Sequence, residues 1–316
     1  MLRFETGLQL PGESSLAVAM SLHWPASAPR AVLVCLPGGN MNRHYFDLQV
    51  PEAEPTFSFA EAMAARGYLV VAVDYLGVGD SSRPEDGWAL TPALLTEANA
   101  AAVTELLTRL RAGTLAPDRG PLPGLRAIGI GHSMGAMMTV LLQAAAQPYD
   151  AVALLGFATR GLPQFAPPAL KDIADPDALR PQLPAIARQM FGVPYPRLGG
   201  NGGSGNRAEI YGSAQADPRG IAALKAVTDN LLPVPATLSL APGNVATEAA
   251  TLAVPVFIGV GERDMTGPPE AIPASFPASP AVTLEVLPET GHSHFLFPTR
   301  GRLFQRLDDW AGDLMH

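Results

Sequence analysis

The chain carries Gly131-His132-Ser133-Met134-Gly135, a G-x-S-x-G pentapeptide, between an apolar run at 125–130 and an Ala/Met/Leu-rich stretch at 136–146. The first reads as a buried strand and the second as a buried helix. A serine on so sharp a strand-to-helix turn is thrust out of the sheet edge with a strained backbone. The glycines at 131 and 135 are needed because side chains there would collide with the neighbouring strand and helix. Strand and helix signals alternate along much of the chain, which points to a mainly parallel sheet covered by helices on both faces.

Residues 16–23 alternate loosely and suit an early antiparallel strand. Buried strands are expected at 31–36, 68–73, 125–130, 151–155, 254–260 and 282–287, and helices at 57–66, 91–111, 134–146 and 301–314. Gly67 stops the first helix, and Thr91-Pro92 caps and starts the second. Between 159 and 245 the alternation fails in a segment rich in proline and glycine, with short helical pieces at 177–192 and 219–231 and a flexible glycine loop at 199–206. That glycine run has no preceding strand and no lysine at the spacing a phosphate cradle needs. An insertion of this kind, before the fold resumes at Val254, is expected to form a lid. The expected organisation is a first part of the core at 1–158, a lid or cap at 159–245 and a second part of the core at 246–316.

A length of 316 residues with 47% hydrophobic content suits one large enzyme domain, and a formal net charge of −8 argues against a nucleic-acid partner. Cys35 is the only cysteine, so no internal disulfide can form. It lies in an apolar run and reads as a small buried hydrophobe. Residues 1–13 show neither an apolar leader core nor a cleavage pattern, and no stretch is a clean membrane span. A cytoplasmic protein is expected. Nothing in the sequence signals the oligomeric state.

A serine hydroxyl needs a base to remove its proton and a third group to orient that base. Asp264 follows the run at 254–260 and is the preferred acid, with Glu262 its rival; residues 156–160, after the preceding strand, hold no acid. The base is His292 or His294, both beyond the last strand; His292 is preferred because it follows Gly291, where the loop can turn tightly. A metal bound through His292 and His294 would need further ligands, none of which is nearby in sequence, so no metal is expected. An oxyanion hole needs two backbone N–H groups. Met134, after the serine, is one candidate, and the loop after 31–36 offers Gly39 first and Asn40 second. Arg43, His44 and Tyr45 belong either to the pocket entrance or to the surface. Asp74 is expected to organise the turn that follows it by accepting backbone N–H bonds.

These elements resemble the α/β-hydrolase superfamily in its lid-bearing serine esterase and lipase-like form. The matching motifs are D-x-x-G-x-G-x-S at 74–81, G-H-S-M-G at 131–135, G-x-x-D at 261–264 and G-H at 291–292. The resemblance runs from about residue 16 to the end, apart from 159–245. The family often has His-Gly where this chain has Pro37-Gly38, and the aspartate nucleophile of the dehalogenase and epoxide hydrolase branches is here Ser133. The resemblance implies an α/β-hydrolase fold and the family order of serine, then acid, then histidine, filled by Ser133, Asp264 and His292. It further implies hydrolysis of a carboxylic ester through an acyl-enzyme, with no cofactor, and the apolar side chains of Phe165, Met190, Phe191 and Tyr195 on the proline-rich insertion suit a small, uncharged substrate. A lactonase, thioesterase, amidase, C–C bond hydrolase or acyltransferase would use the same groups. The non-enzymatic alternative is a receptor that keeps the triad and binds without turnover.

Overall fold

The structure, a computed structural model, describes residues 1–171, 176–197 and 215–315. Among them, eight strands form one sheet: β1 (Leu2–Glu5), β2 (Ala17–His23), β3 (Val32–Leu36), β4 (Leu69–Val73), β5 (Ala127–His132), β6 (Ala151–Leu155), β7 (Val256–Gly261) and β8 (Val282–Leu287). Their order is β1-β2-β4-β3-β5-β6-β7-β8. The β1–β2 and β2–β4 pairs are antiparallel and the others parallel. Strands β3 to β7 are buried at every residue. That explains their continuous apolar runs: a parallel strand covered on both faces has no solvent side to mark with polar residues.

Successive side chains of a strand point to opposite faces. Val32, Val34 and Leu36 of β3 join one core, and Leu33 and Cys35 join the other. The first core is closed by α2 (Pro92–Ala112) and α3 (Met134–Ala146), and the second by α1 (Phe59–Ala65) and the helix Arg300–Asp313. Local chemistry sets the helix ends. The Ser58 hydroxyl accepts from the Glu61 N–H to start α1. Thr91 caps α2, which then begins on Pro92 and stops at Gly113 in the left-handed region.

Strand β3 pairs with β4 on one side and β5 on the other, with Leu36 opposite Gly131. The chain therefore reverses its direction of travel across the sheet between β3 and β5. Loops leaving these two strands diverge, and the crevice they open is where ligands bind in open parallel sheets.

Between β6 and β7 the chain leaves the sheet altogether. The expected helical pieces appear as Pro176–Leu179, Leu183–Phe191 and Pro218–Ala226. The last is shorter than the expected 219–231, because Thr228 turns away to form a bridge with Met41. Two further helices, Pro233–Leu240 and Ala246–Thr251, pack against α3. The first escapes a pattern reading because prolines open it; a first turn tolerates them since its N–H groups have no helical acceptor. Strand β1 is also unanticipated, as a four-residue edge strand with one buried residue leaves little pattern. The glycine loop at 199–206 lies outside the described residues. No helix among the described residues is long and apolar enough to cross a membrane.

Candidate active site

Ser133 joins β5 to α3 with φ 55° and ψ −121°. A non-glycine residue at positive φ stores strain, of order 1–3 kcal/mol, and persists only where its surroundings enforce it. Here the Ser133 N–H donates to the Leu155 carbonyl at 2.8 Å, and its own carbonyl accepts from Ala136 N at 2.9 Å. The flanking glycines are enforced by crowding. A Cβ at Gly131 would run into the backbone of Ala136, and one at Gly135 into the Leu36 carbonyl at the end of β3. The turn is thus wedged between a neighbouring strand and its own helix.

Met134 is the first residue of α3, so its N–H has no acceptor inside the helix. Gly39 faces it: a Cβ at Gly39 would lie 3.7 Å from Met134 Sδ and 2.9 Å from Leu231 Cδ1. Asn40 is left-handed, with φ 65°, and its carbonyl accepts from Asp229 N at 3.0 Å. Asp229 Oδ2 accepts from Asn42 Nδ2 and from Gly79 N, each at 3.1 Å. The Tyr75 hydroxyl donates to the Pro37 carbonyl at 3.0 Å. The loop after β3 is therefore held from two directions, by Tyr75 beyond β4 and by Asp229 of the insertion between β6 and β7.

Asp74 Oδ1 accepts from Arg43 N at 2.7 Å and its Oδ2 from Asp80 N at 2.9 Å, as expected of a turn organiser. Arg43 is buried rather than lining an entrance. Its guanidinium pairs with Asp74 and with Asp80, the latter at 2.6 Å. His44 is exposed and Tyr45 is buried.

Asp264 stands beyond the end of β7, with its side chain 1% exposed. Its Oδ1 lies 2.8 Å from His292 Nδ1 and its Oδ2 lies 2.9 Å from His294 Nε2. Burial alone would push this carboxyl up, but the charge and hydrogen bonds of the two imidazoles hold it well below the usual carboxylate range. Glu262 is exposed and turns the other way, accepting from Glu289 N at 2.9 Å. Gly156, at the end of β6, lies against the pair: a Cβ there would be 3.1 Å from His292 Nδ1 and 3.3 Å from Asp264 Oδ2.

His132, next to Ser133, ties the two halves together. Its Nε2 is 2.9 Å from the His292 carbonyl, which can only accept, so Nε2 carries the proton. Its ring centroid is 4.8 Å from that of His292. Burial, reinforced by the imidazoles of His292 and His294, pushes His132 well below the usual histidine range. Phe295 fixes the histidine loop from below, stacking on Tyr45 at 5.0 Å and on Phe59 at 5.6 Å. Removing a buried phenylalanine of this kind costs about 3–5 kcal/mol, so the loop is part of the core.

The structure thus gathers Ser133, Met134, Gly39, Asn40, Asp264 and His292 at one edge of the sheet. Residues 33–301 match the family model described as the alpha/beta hydrolase family. The chain belongs to that family.

Solved structures share the fold of this α/β hydrolase. An esterase of Thermogutta terrifontis, determined with malate bound, is 17% identical, with 100% of each chain covered and a TM-score of 0.59. An esterase of Exiguobacterium antarcticum is 17% identical over 99% of this chain and 100% of its own, with a TM-score of 0.63. An enol-lactonase of Burkholderia xenovorans is 17% identical over 95% and 96%, with a TM-score of 0.55. No curated protein matches the sequence.

Sequence reasoning missed Asp229 and Leu231 of the hydrolase. They sit at the end of a proline- and glycine-rich segment with no motif of their own, and only folding brings them to the loop after β3. It also missed that His294 shares Asp264 with His292; the spacing of the two histidines gave no hint of a common partner. Among the described residues, no group of three or more His, Cys, Asp or Glu side chains is arranged to hold a metal.

Proposed function

We propose that the protein is a serine hydrolase that cleaves a small, uncharged carboxylic ester through an acyl-enzyme. The observation that carries this reading is the 2.8 Å pairing of His292 Nδ1 with Asp264 Oδ1 at the sheet edge where Ser133 is held in its strained turn. A carboxylate on Nδ1 fixes the tautomer in which Nε2 is free to accept a proton. Ser133 Oγ attacks the ester carbonyl carbon while His292 Nε2 takes the hydroxyl proton. The oxyanion is held by the N–H groups of Met134 and Gly39, with Asn40 as the alternative to Gly39. Collapse expels the alkoxide, which takes the proton from His292. A water molecule then gives a proton to the same nitrogen and attacks the acyl carbon, and collapse breaks the bond to Ser133 Oγ, which takes the proton back from His292 as the acid leaves. The scheme calls on no cofactor.

In this reading residues 1–158 and 246–316 are the core, and 159–245 are a lid that chooses the substrate. Leu231, within that lid segment, supports it by lying 2.9 Å from where a Gly39 side chain would start. Leu231 and Met134 offer apolar surface, and the net charge of −8 disfavours anionic substrates.

The test is a panel of p-nitrophenyl esters of rising acyl length with a lactone and a thioester, run on the native protein and on Ser133→Ala. A fluorophosphonate probe is expected to label Ser133. Saturable binding of these compounds without turnover would instead identify a receptor.

A further inference from the structure

The pairing of Asp264 with two imidazoles is more than a triad needs. An acid that orients the base uses one oxygen; here the other oxygen is taken by a second histidine at 2.9 Å. We propose that His294 is a positioning residue, whose Nε2–H donates to Asp264 Oδ2 and fixes the carboxylate so that Oδ1 stays on His292 Nδ1. This rests on the triad reading above.

Three observations support it. First, His294 is fully buried, whereas His292 keeps 6% of its side chain exposed, so His294 has no edge to offer a substrate. Second, a carboxylate oxygen accepts, so the nitrogen facing it carries the proton. His294 Nδ1, on the other side of the ring, has no hydrogen-bond partner among the described residues. Third, the groups around the ring hold it in place. The His132 ring stands edge-on at 5.7 Å, Tyr45 packs on His132 at 4.7 Å, and the adjacent Phe295 is locked between Tyr45 and Phe59.

The physical consequence concerns the torsion of the acid. The terminal torsion of an aspartate is broad and roughly two-fold, so one hydrogen bond leaves the carboxylate plane free to swing. A second donor on the opposite oxygen pins the plane. It also pairs a buried oxygen that would otherwise lack a partner and compete for the His292 proton.

The test compares His294→Phe, which keeps the ring volume and removes the donor, with His294→Gln, whose amide nitrogen reaches about where Nε2 stands. With p-nitrophenyl acetate, His294→Phe is expected to lower kcat about 10- to 100-fold, by analogy with the loss of an outer hydrogen-bond partner of a metal-binding side chain. KM is expected to change little, and His294→Gln to recover most of the loss. Native kcat in His294→Phe, or His294→Gln no better than it, overturns the proposal. Nitrogen-15 NMR of the native protein decides the matter if His294→Phe does not fold. A protonated, slowly exchanging His294 Nε2 supports the clamp, and an unprotonated Nε2 overturns it. That spectrum does not depend on turnover, so a protein that hydrolyses no ester would defeat the triad reading alone.

Discussion

Leu231 occupies the space that a side chain at Gly39 would need: a Cβ there would stand 2.9 Å from Leu231 Cδ1. A residue of the insertion between β6 and β7 therefore sets how much room the loop after β3 has. Gly39→Ala is expected to fold, because the obstructing atom is a flexible side-chain tip, but to lower kcat by displacing the backbone N–H. Leu231→Ala in the same chain is expected to restore part of that loss. Contacting residues couple by about 0.5–3 kcal/mol, which a double-mutant cycle on kcat/KM resolves. Strictly additive effects would show that Leu231 does not press on the loop.

Leu231→Ala by itself is expected to shift preference towards longer acyl chains. One methylene in an apolar pocket is worth about 1–3 kcal/mol, so the change should be graded along the ester series. Met190 and Phe191 lie on the helix Leu183–Phe191, which packs on Pro233–Leu240. Their alanine variants are expected to move the same profile while a small acetate ester loses little. An unchanged chain-length profile in all three variants removes the substrate-selecting role of the insertion.

Ser133→Ala is expected to remove hydrolysis by about the 10⁶ scale of a lost triad nucleophile while the fold persists. The backbone adds a second expectation. At φ 55° and ψ −121°, glycine is at ease where serine is strained. Ser133→Gly should therefore be equally inactive but more stable, by about 1 kcal/mol. Denaturant midpoints of the two variants read this directly; a less stable Ser133→Gly contradicts it.

Asp264→Asn is expected to fold and to lose up to about 10⁴ in kcat, since an amide favours the wrong tautomer of the base. Glu262→Gln should be mild, because Glu262 is exposed and bonds Glu289 N rather than an imidazole. Equal damage from the two substitutions would leave the acid unassigned.

His132 makes stability depend on pH. Burial pushes it well below the usual histidine range in the folded protein, whereas the unfolded chain takes up the proton at about pH 6.5. Below that pH the unfolded state binds more protons than the folded state. Stability is thus full above about pH 6.5 and falls as the pH drops towards the folded value. Urea midpoints measured from about pH 7 down to pH 5 should decline, and less steeply in His132→Gln. Identical slopes for the two proteins would refute a buried neutral His132.

Much of the protein was decided by the sequence itself. Strands β3 to β7 announce themselves because burial on both faces demands unbroken apolar runs. The Gly131–Gly135 turn is legible because its glycines answer a local crowding problem. Asp264 and His292 stand out because each follows a strand and lies at the edge where β5 also ends. The tertiary structure decided what depends on distant chain segments. It placed both His292 and His294 on one carboxylate, with only His292 keeping an exposed edge, which their two-residue spacing could not say. It brought Asp229 and Leu231 to the loop at Gly39 and Asn40 through a bridge between Met41 and Thr228. It buried the helix Pro233–Leu240, whose prolines read locally as a break. Periodicity and turn chemistry act over a few residues, so a sequence displays them. Which side chain shares an oxygen, or fills the space beside a glycine, is fixed by packing between segments far apart in the chain.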